Sequence, residues 1–103
     1  MKLIGILAIN LRYYRMKHNL SQEKFAEILG TSLSYLNQIE NLRVNVRLAT
    51  VDKFASNINK FEHNSKITAT LLLTYNKKHI TNYSRVDEKS SYFQITTFNL
   101  KIY

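Results

Sequence analysis

Apolar side chains recur along the first sixty residues at helical spacing. Leu7, Leu11 and Tyr14 predict a helix over residues 6–18, and Asn19 stands where that helix should stop, because Asn tolerates the left-handed conformation of a helix C-terminus. Ser21 is a good N-cap for a second helix, with Glu23 in the first turn and Phe25, Ala26 and Leu29 on its apolar face. Gly30 ends it, being able to take a positive φ without penalty. Thr31 or Ser32 can cap a third helix running to about Asn41. Its Leu36 and Ile39 point inward, and Leu33, Ser34, Asn37 and Gln38 point outward. Asn45 is placed to cap a fourth helix, with Leu48, Val51, Phe54, Ala55 and Ile58 inward.

The pattern changes near residue 62. The run Ile67-Thr68-Ala69-Thr70-Leu71-Leu72-Leu73-Thr74-Tyr75 is rich in β-branched and aromatic residues, and residues 92–103 alternate toward their end. Residues 79–86 could supply a strand between them, with turns at 76–78 and 87–91. A helix over residues 65–77 competes with the first strand. The expected fold class is therefore α+β: an N-terminal bundle of four or five helices over residues 1–61, then a small antiparallel β element over residues 62–103.

Composition narrows the function. The chain of 103 residues carries 15 Lys and Arg against 7 acids, a net charge of +8. That excess fits a polyanionic partner, nucleic acid or a membrane surface, or simply a solvated basic face. Residues 1–61 hold nine basic and four acidic residues, net +5, and residues 62–103 six and three, net +3, so charge alone does not locate a site. There is no Cys, which excludes thiol catalysis, disulfides and Cys-based zinc sites, and which fits a cytoplasmic protein. The longest strongly apolar stretch, residues 3–9, falls far short of the roughly 20 residues a bilayer span requires. It is read as the entry to helix 1 rather than as a signal-peptide core. His18, His63 and His79 lack metal-ligand spacing, no Gly-rich phosphate loop occurs, and the acids are scattered. No metal, no cofactor and no enzymatic activity is expected.

The informative unit is Ser21–Gly30–Asn41: two short helices joined through a tight turn, with a small Ala26 where the second approaches the third and an outward helix of small polar residues suited to a major groove. Together with Asn10-Leu11-Arg12-Tyr13-Tyr14-Arg15, the run Leu20 to Gly30, the run Ser34 to Asn41, and the ungapped spacing to Leu48, Thr50, Phe54 and Ala55, it resembles the Cro and phage-repressor (Xre) helix-turn-helix family over residues 8–58. The resemblance implies sequence-specific binding of double-stranded DNA by a transcriptional regulator, expected to be a repressor acting as a homodimer.

The resemblance also implies roles. Ser32, Leu33, Ser34, Asn37 and Gln38 match positions that face the groove. Gln38 is the best base reader, because a Gln amide pairs bidentately with adenine, while Leu33 offers only apolar contact, for example to a thymine methyl. Gln22 matches a residue that touches the DNA backbone and braces a recognition residue, and Tyr35, Asn41 and Arg43 match positions near phosphates. Arg15 and Glu40 match a buried pair tying helix 1 to the end of helix 3. Arg12, Lys17, Lys24, Arg43 and Arg47 read individually as ordinary surface charge. The family commonly carries Gly at position 42 and Pro-Ser at 46 and 47; here stand Leu42, Val46 and Arg47. Leu dislikes positive φ, so Asn41 is expected to take that conformation or the loop to differ. The family's fifth helix has no clear counterpart after Ile58.

Two other functions remain open at this level. In the first the chain is an antitoxin that clamps a toxin through residues 62–103 and binds DNA for autoregulation. In the second it is an interaction module that kept the fold and lost DNA binding. Residues 62–103 are also the expected element for dimerisation or for a protein partner, against the alternative that they fold back onto their own helices.

Overall fold

The computed structural model describes residues 2–63 and 65–83, with side chains described through Ile80. Six helices follow in order: α1 (Leu3–Lys17), α2 (Gln22–Leu29), α3 (Leu33–Glu40), α4 (Leu48–Glu62), α5 (Ala69–Leu72) and α6 (Lys77–Tyr83). No strand occurs among the described residues, which overturns the expected α+β class.

Local chemistry sets the ends of the first three helices. The apolar stretch from Leu3 is part of α1 itself, and Asn19 closes α1 at φ 53°. The Ser21 hydroxyl accepts from the Lys24 N–H at 3.0 Å and the Ser32 hydroxyl from the Tyr35 N–H at 3.0 Å, so each satisfies a donor that its helix leaves open. Gly30 ends α2 at φ 76°, and Thr31 N–H then reaches the Ala26 carbonyl at 2.9 Å. The fourth helix departs from expectation. Its N-cap is Arg47 and not Asn45, no side chain caps it, and Leu48 lies 63% exposed rather than inward. Buried residues of α1 to α4, among them Leu7, Leu11, Phe25, Leu29, Leu36, Ile39, Val51, Phe54 and Ile58, form one core.

Residues 65–83 join that core through Ile67, Leu72 and Ile80. Where a strand was expected over 67–75, the chain is extended only to Thr68 and then turns into α5, capped by the Thr68 hydroxyl accepting from Leu71 N–H at 3.1 Å. Asn59 of α4 replaces a strand neighbour: its Oδ1 accepts from Ile67 N–H at 2.8 Å and its Nδ2 donates to Ile67 carbonyl at 2.7 Å. With these backbone groups paired, nothing calls for a sheet. The Leu71-Leu72-Leu73 triplet has no two-residue alternation to exploit. Leu72 is buried, Leu73 half-buried and Leu71 exposed. The strand expected over 79–86 is helical through Tyr83, and Asn76, read as a turn residue, opens α6 by accepting from Lys78 N–H at 3.0 Å. A helix thus does follow Ile58, contrary to the reading that the family's fifth helix has no counterpart. The strand expected over 92–103 and the turn at 87–91 lie outside the described residues.

Asn10 secures the same segment from α1. Its buried amide donates to the carbonyls of Leu71, Leu72 and Thr74 at 3.3, 2.8 and 2.9 Å. Its Oδ1 faces His79 Nδ1 at 2.7 Å, and the His79 ring stacks on Tyr13 with centroids 3.7 Å apart.

Candidate nucleic-acid interface

The helix-turn-helix is held from three sides. Beneath it, Arg15 Nη2 and Glu40 Oε1 stand 3.3 Å apart, both side chains buried, while Arg15 Nη1 donates to the Leu20 carbonyl at 3.1 Å. The other Glu40 oxygen accepts from Gln22 Nε2 at 2.9 Å. One carboxylate therefore links α1, α2 and the end of α3. Gln22, expected at the DNA backbone, spends one amide N–H inward on this link and keeps a second donor on the same nitrogen.

From above, α4 closes the turn. Asn57 Nδ2 donates to the Leu29 carbonyl at 2.8 Å and Lys53 Nζ to the Gly30 carbonyl at 2.7 Å, which satisfies acceptors at the open end of α2. A Cβ on Gly30 would come within 3.1 Å of Lys53 Cε and 3.2 Å of Asn57 Nδ2, ends of flexible side chains that can give way, so it is the φ of 76° that calls for glycine there. Neither α4 residue was singled out in the sequence. A polar side chain on a helix carries no mark of which distant carbonyl it will meet.

The third constraint is the end of α3. Of the two expectations, a left-handed Asn41 or a different loop, the first does not hold: Asn41 stays at φ −97° and Leu42 itself adopts φ 61°. Leu42 N–H reaches the Ile39 carbonyl at 3.0 Å and Arg43 N–H the Gln38 carbonyl at 2.8 Å, the paired bonds of a Schellman closure. Leu42, Val44 and Val46 are partly buried against the core. Their packing supplies the anchoring that offsets a left-handed leucine and the missing proline.

On the outward side, Leu33, Ser34, Asn37, Gln38, Asn41 and Arg43 line one open concavity of about 520 Å³. Ser34, Gln38 and Arg43 are exposed, and Asn37 is half-buried with its carbonyl taken by the Asn41 amide at 2.8 Å. Leu33 is 40% exposed. Ser32 lies beside this surface with its oxygen engaged in capping, and Tyr35 is turned partly into the core. Of the basic residues read as surface charge, Arg12 is buried at 4% exposure, Lys24 lies 3.7 Å from Glu27, and Lys17 lies 3.8 Å from Glu62. No cluster of three or more His, Asp or Glu side chains suited to a metal occurs among the described residues, and no helix there is long and apolar enough to cross a membrane.

Comparison with known proteins places this geometry. The chain is 44% identical over 54 residues to the control protein C.SmaI of Serratia marcescens, a stretch that spans 52% of this chain and 64% of that protein. It is 33% identical over 52 residues to a hypothetical transcription factor of Neisseria meningitidis, spanning 50% of this chain and 49% of the other. The chain thus spans less than two thirds of either relative's length. The crystal structure of a hypothetical transcription factor, NHTF from Neisseria, superposes with a TM-score of 0.62 at 26% identity, covering 78% of this chain and 84% of that one. That coverage exceeds what residues 1–61 alone could supply, so the likeness in fold reaches into the segment after α4. Residues 11–61 match the family model described as helix-turn-helix, and through them this chain belongs to the Cro/C1-type helix-turn-helix family of DNA-binding domains.

Proposed function

We infer that this chain is a transcriptional regulator that binds double-stranded DNA sequence-specifically, with α3 as the recognition helix. The observation that carries the reading is the contrast between the two sides of α3. Its inner side is tied by Glu40, Arg15 and Gln22, while its outer side gathers Ser34, Asn37, Gln38 and Arg43 in one concavity. A polar helix held rigidly by its back is what entry into a major groove requires. Gln38 is the principal base reader, Asn37 and Ser34 assist, and Arg43, Asn41 and Gln22 sit at the phosphates. The net charge of +8 adds a salt-dependent term common to all sequences.

A single unit of this kind reads few base pairs, so the active form is a homodimer on two half-sites about 34 Å apart. Repression of a nearby promoter in the cytoplasm is the outcome such occupancy produces. The names of the relatives, a control protein and a hypothetical transcription factor, support regulation of transcription as the role.

Selection from random duplexes tests this directly and should yield a two-fold symmetric site. On that site Gln38→Ala should cost about 1–3 kcal/mol and relax one base position per half-site. Retention of full specificity by Gln38→Ala removes it as the reader, and enrichment of no duplex at low salt removes the function.

A further inference from the structure

We propose that two copies of this chain pair through the apolar groove where the first turn of α1 meets the first turn of α4, with Leu3 and Leu48 of each copy seated in the groove of the other. This rests on the homodimer reading above and names the surface that makes it.

The exposed large apolar side chains among the described residues are not alike. Leu33 lies in the concavity beside α3, and Phe61 packs edge-to-face on the His18 ring with centroids 5.0 Å apart. Leu3 and Leu48, the most exposed at 61% and 63%, instead line one groove of about 270 Å³, together with the buried Leu7 and Val51. A scattered exposed leucine is ordinary, but two on one concave apolar surface make a patch that asks for a partner. Asn45 is the one polar residue of the lining, and no charged residue belongs to it.

Three features fit a second copy of this chain. The first is shape. A two-fold interface is self-complementary, so a single patch must supply both what inserts and what receives. Here the projecting leucines and the buried floor lie in the same patch. The second is charge. Two chains of net charge +8 repel, and they approach at least cost where neither brings a charge to the contact. Lys2 and Arg47, neighbours in sequence of Leu3 and Leu48, are exposed and stand outside the lining, as the polar rim of an interface does. The third is position. Asn45 of the groove lies two residues after Arg43 of the concavity proposed to face DNA, a chain reach of at most about 7 Å. A two-fold axis beside the groove therefore keeps both concavities close to it, as adjacent half-sites require. Leu73, which follows α5, also lines the groove, so the segment after α4 takes part.

The test uses the full chain. Leu3→Glu and Leu48→Glu each place an acid at the first position of a helix whose first turn has none, where the helix dipole favours it, so both variants should stay folded. Sedimentation over a range of concentrations should find wild type in a monomer–dimer equilibrium. Each variant should weaken that equilibrium on the order of a hundredfold, because every dimer loses two buried leucines. The wild-type melting midpoint should rise with protein concentration, and those of the variants should stay flat over the same range. Leu71→Glu, at a residue 51% exposed on α5 and outside the groove, should dimerise as wild type does. Dimers that survive both groove variants overturn the proposal and leave the homodimer standing. Dimers that Leu71→Glu abolishes and Leu48→Glu does not have the same consequence. A wild-type chain that is monomeric at every concentration overturns the homodimer reading itself, since no second copy then covers the groove.

Discussion

Residues 21–43 and residues 65–83 are both helical, yet they are helical for different reasons. In the first region each helix has its own cap, its own apolar face and a defined stop, so the local sequence already specifies it. In the second, α5 has four residues behind its Thr68 cap and α6 is described over seven; like the eight-residue α2 and α3, neither is stable alone in water, but here contacts from distant residues decide where the segment lies. They exist because Asn59 pairs both backbone groups of Ile67, Asn10 gathers three carbonyls at the end of α5, and Ile67, Leu72 and Ile80 enter a core built by other helices. Secondary structure that is encoded locally can be read locally. Structure imposed by side chains ~60 residues away in the chain cannot, and β propensity in particular yields to such context.

The sharpest way to break this contrast is at the node of the first region. Glu40→Ala leaves Arg15 as a buried charge without its carboxylate and frees Gln22, and should cost about 3–5 kcal/mol in urea denaturation. A loss below about 1 kcal/mol would give the pair no more weight than a solvent-exposed ion pair.

Asn10→Ala tests the second region. It leaves the buried Leu72 carbonyl and the His79 ring without their partner, at a cost of about 1–3 kcal/mol. Amide exchange should accelerate in α5 and α6 and stay unchanged in α3. Equal acceleration in both regions would mean that they unfold as one unit and that the contrast has no energetic counterpart.

The smallest effect is a pH dependence confined to α6. Because the Asn10 Nδ2 donates to carbonyls, its Oδ1 must accept from His79 Nδ1–H, and Nε2 then faces Asn76 Nδ2 at 3.2 Å as an acceptor. This arrangement needs a neutral imidazole. Burial first, and the positive Lys17 second, push the His79 pKa below its ordinary value of 6.5. A histidine whose pKa is lowered by folding binds its proton more readily when undocked. Its contribution is therefore complete above 6.5 and declines as pH falls below it. The thermal midpoint of wild type should drop relative to His79→Gln between about pH 7.5 and about pH 5.5. A parallel response of the two proteins would show that His79 does not carry it.

What could be read in advance follows the same division. Ser21, Gly30, Ser32, Leu36 and Ile39 act within a few residues of themselves, so α2 and α3 and the outward set Leu33, Ser34, Asn37 and Gln38 were legible. Leu42 was misjudged because its left-handed backbone is held by tertiary packing that offsets a local penalty. Arg12 was taken for surface charge because a basic side chain does not announce its burial. Lys53 and Asn57 gave no signal, since their role depends on where α4 lies over the turn.

The bracing of α3 has a consequence for how this surface can change over time. Glu40, Arg15, Gln22, Lys53 and Asn57 hold the turn and the helix, and none of them belongs to the outward set at positions 33, 34, 37 and 38. The four outward positions can be exchanged with small cost to the fold, whereas the five bracing positions cannot. The scaffold and the message are thus written in separate residues. Under the DNA-binding role proposed above, new operator preferences would be accessible by a few substitutions through intermediates that remain folded, so that face would be free to diversify while the domain beneath it stays fixed.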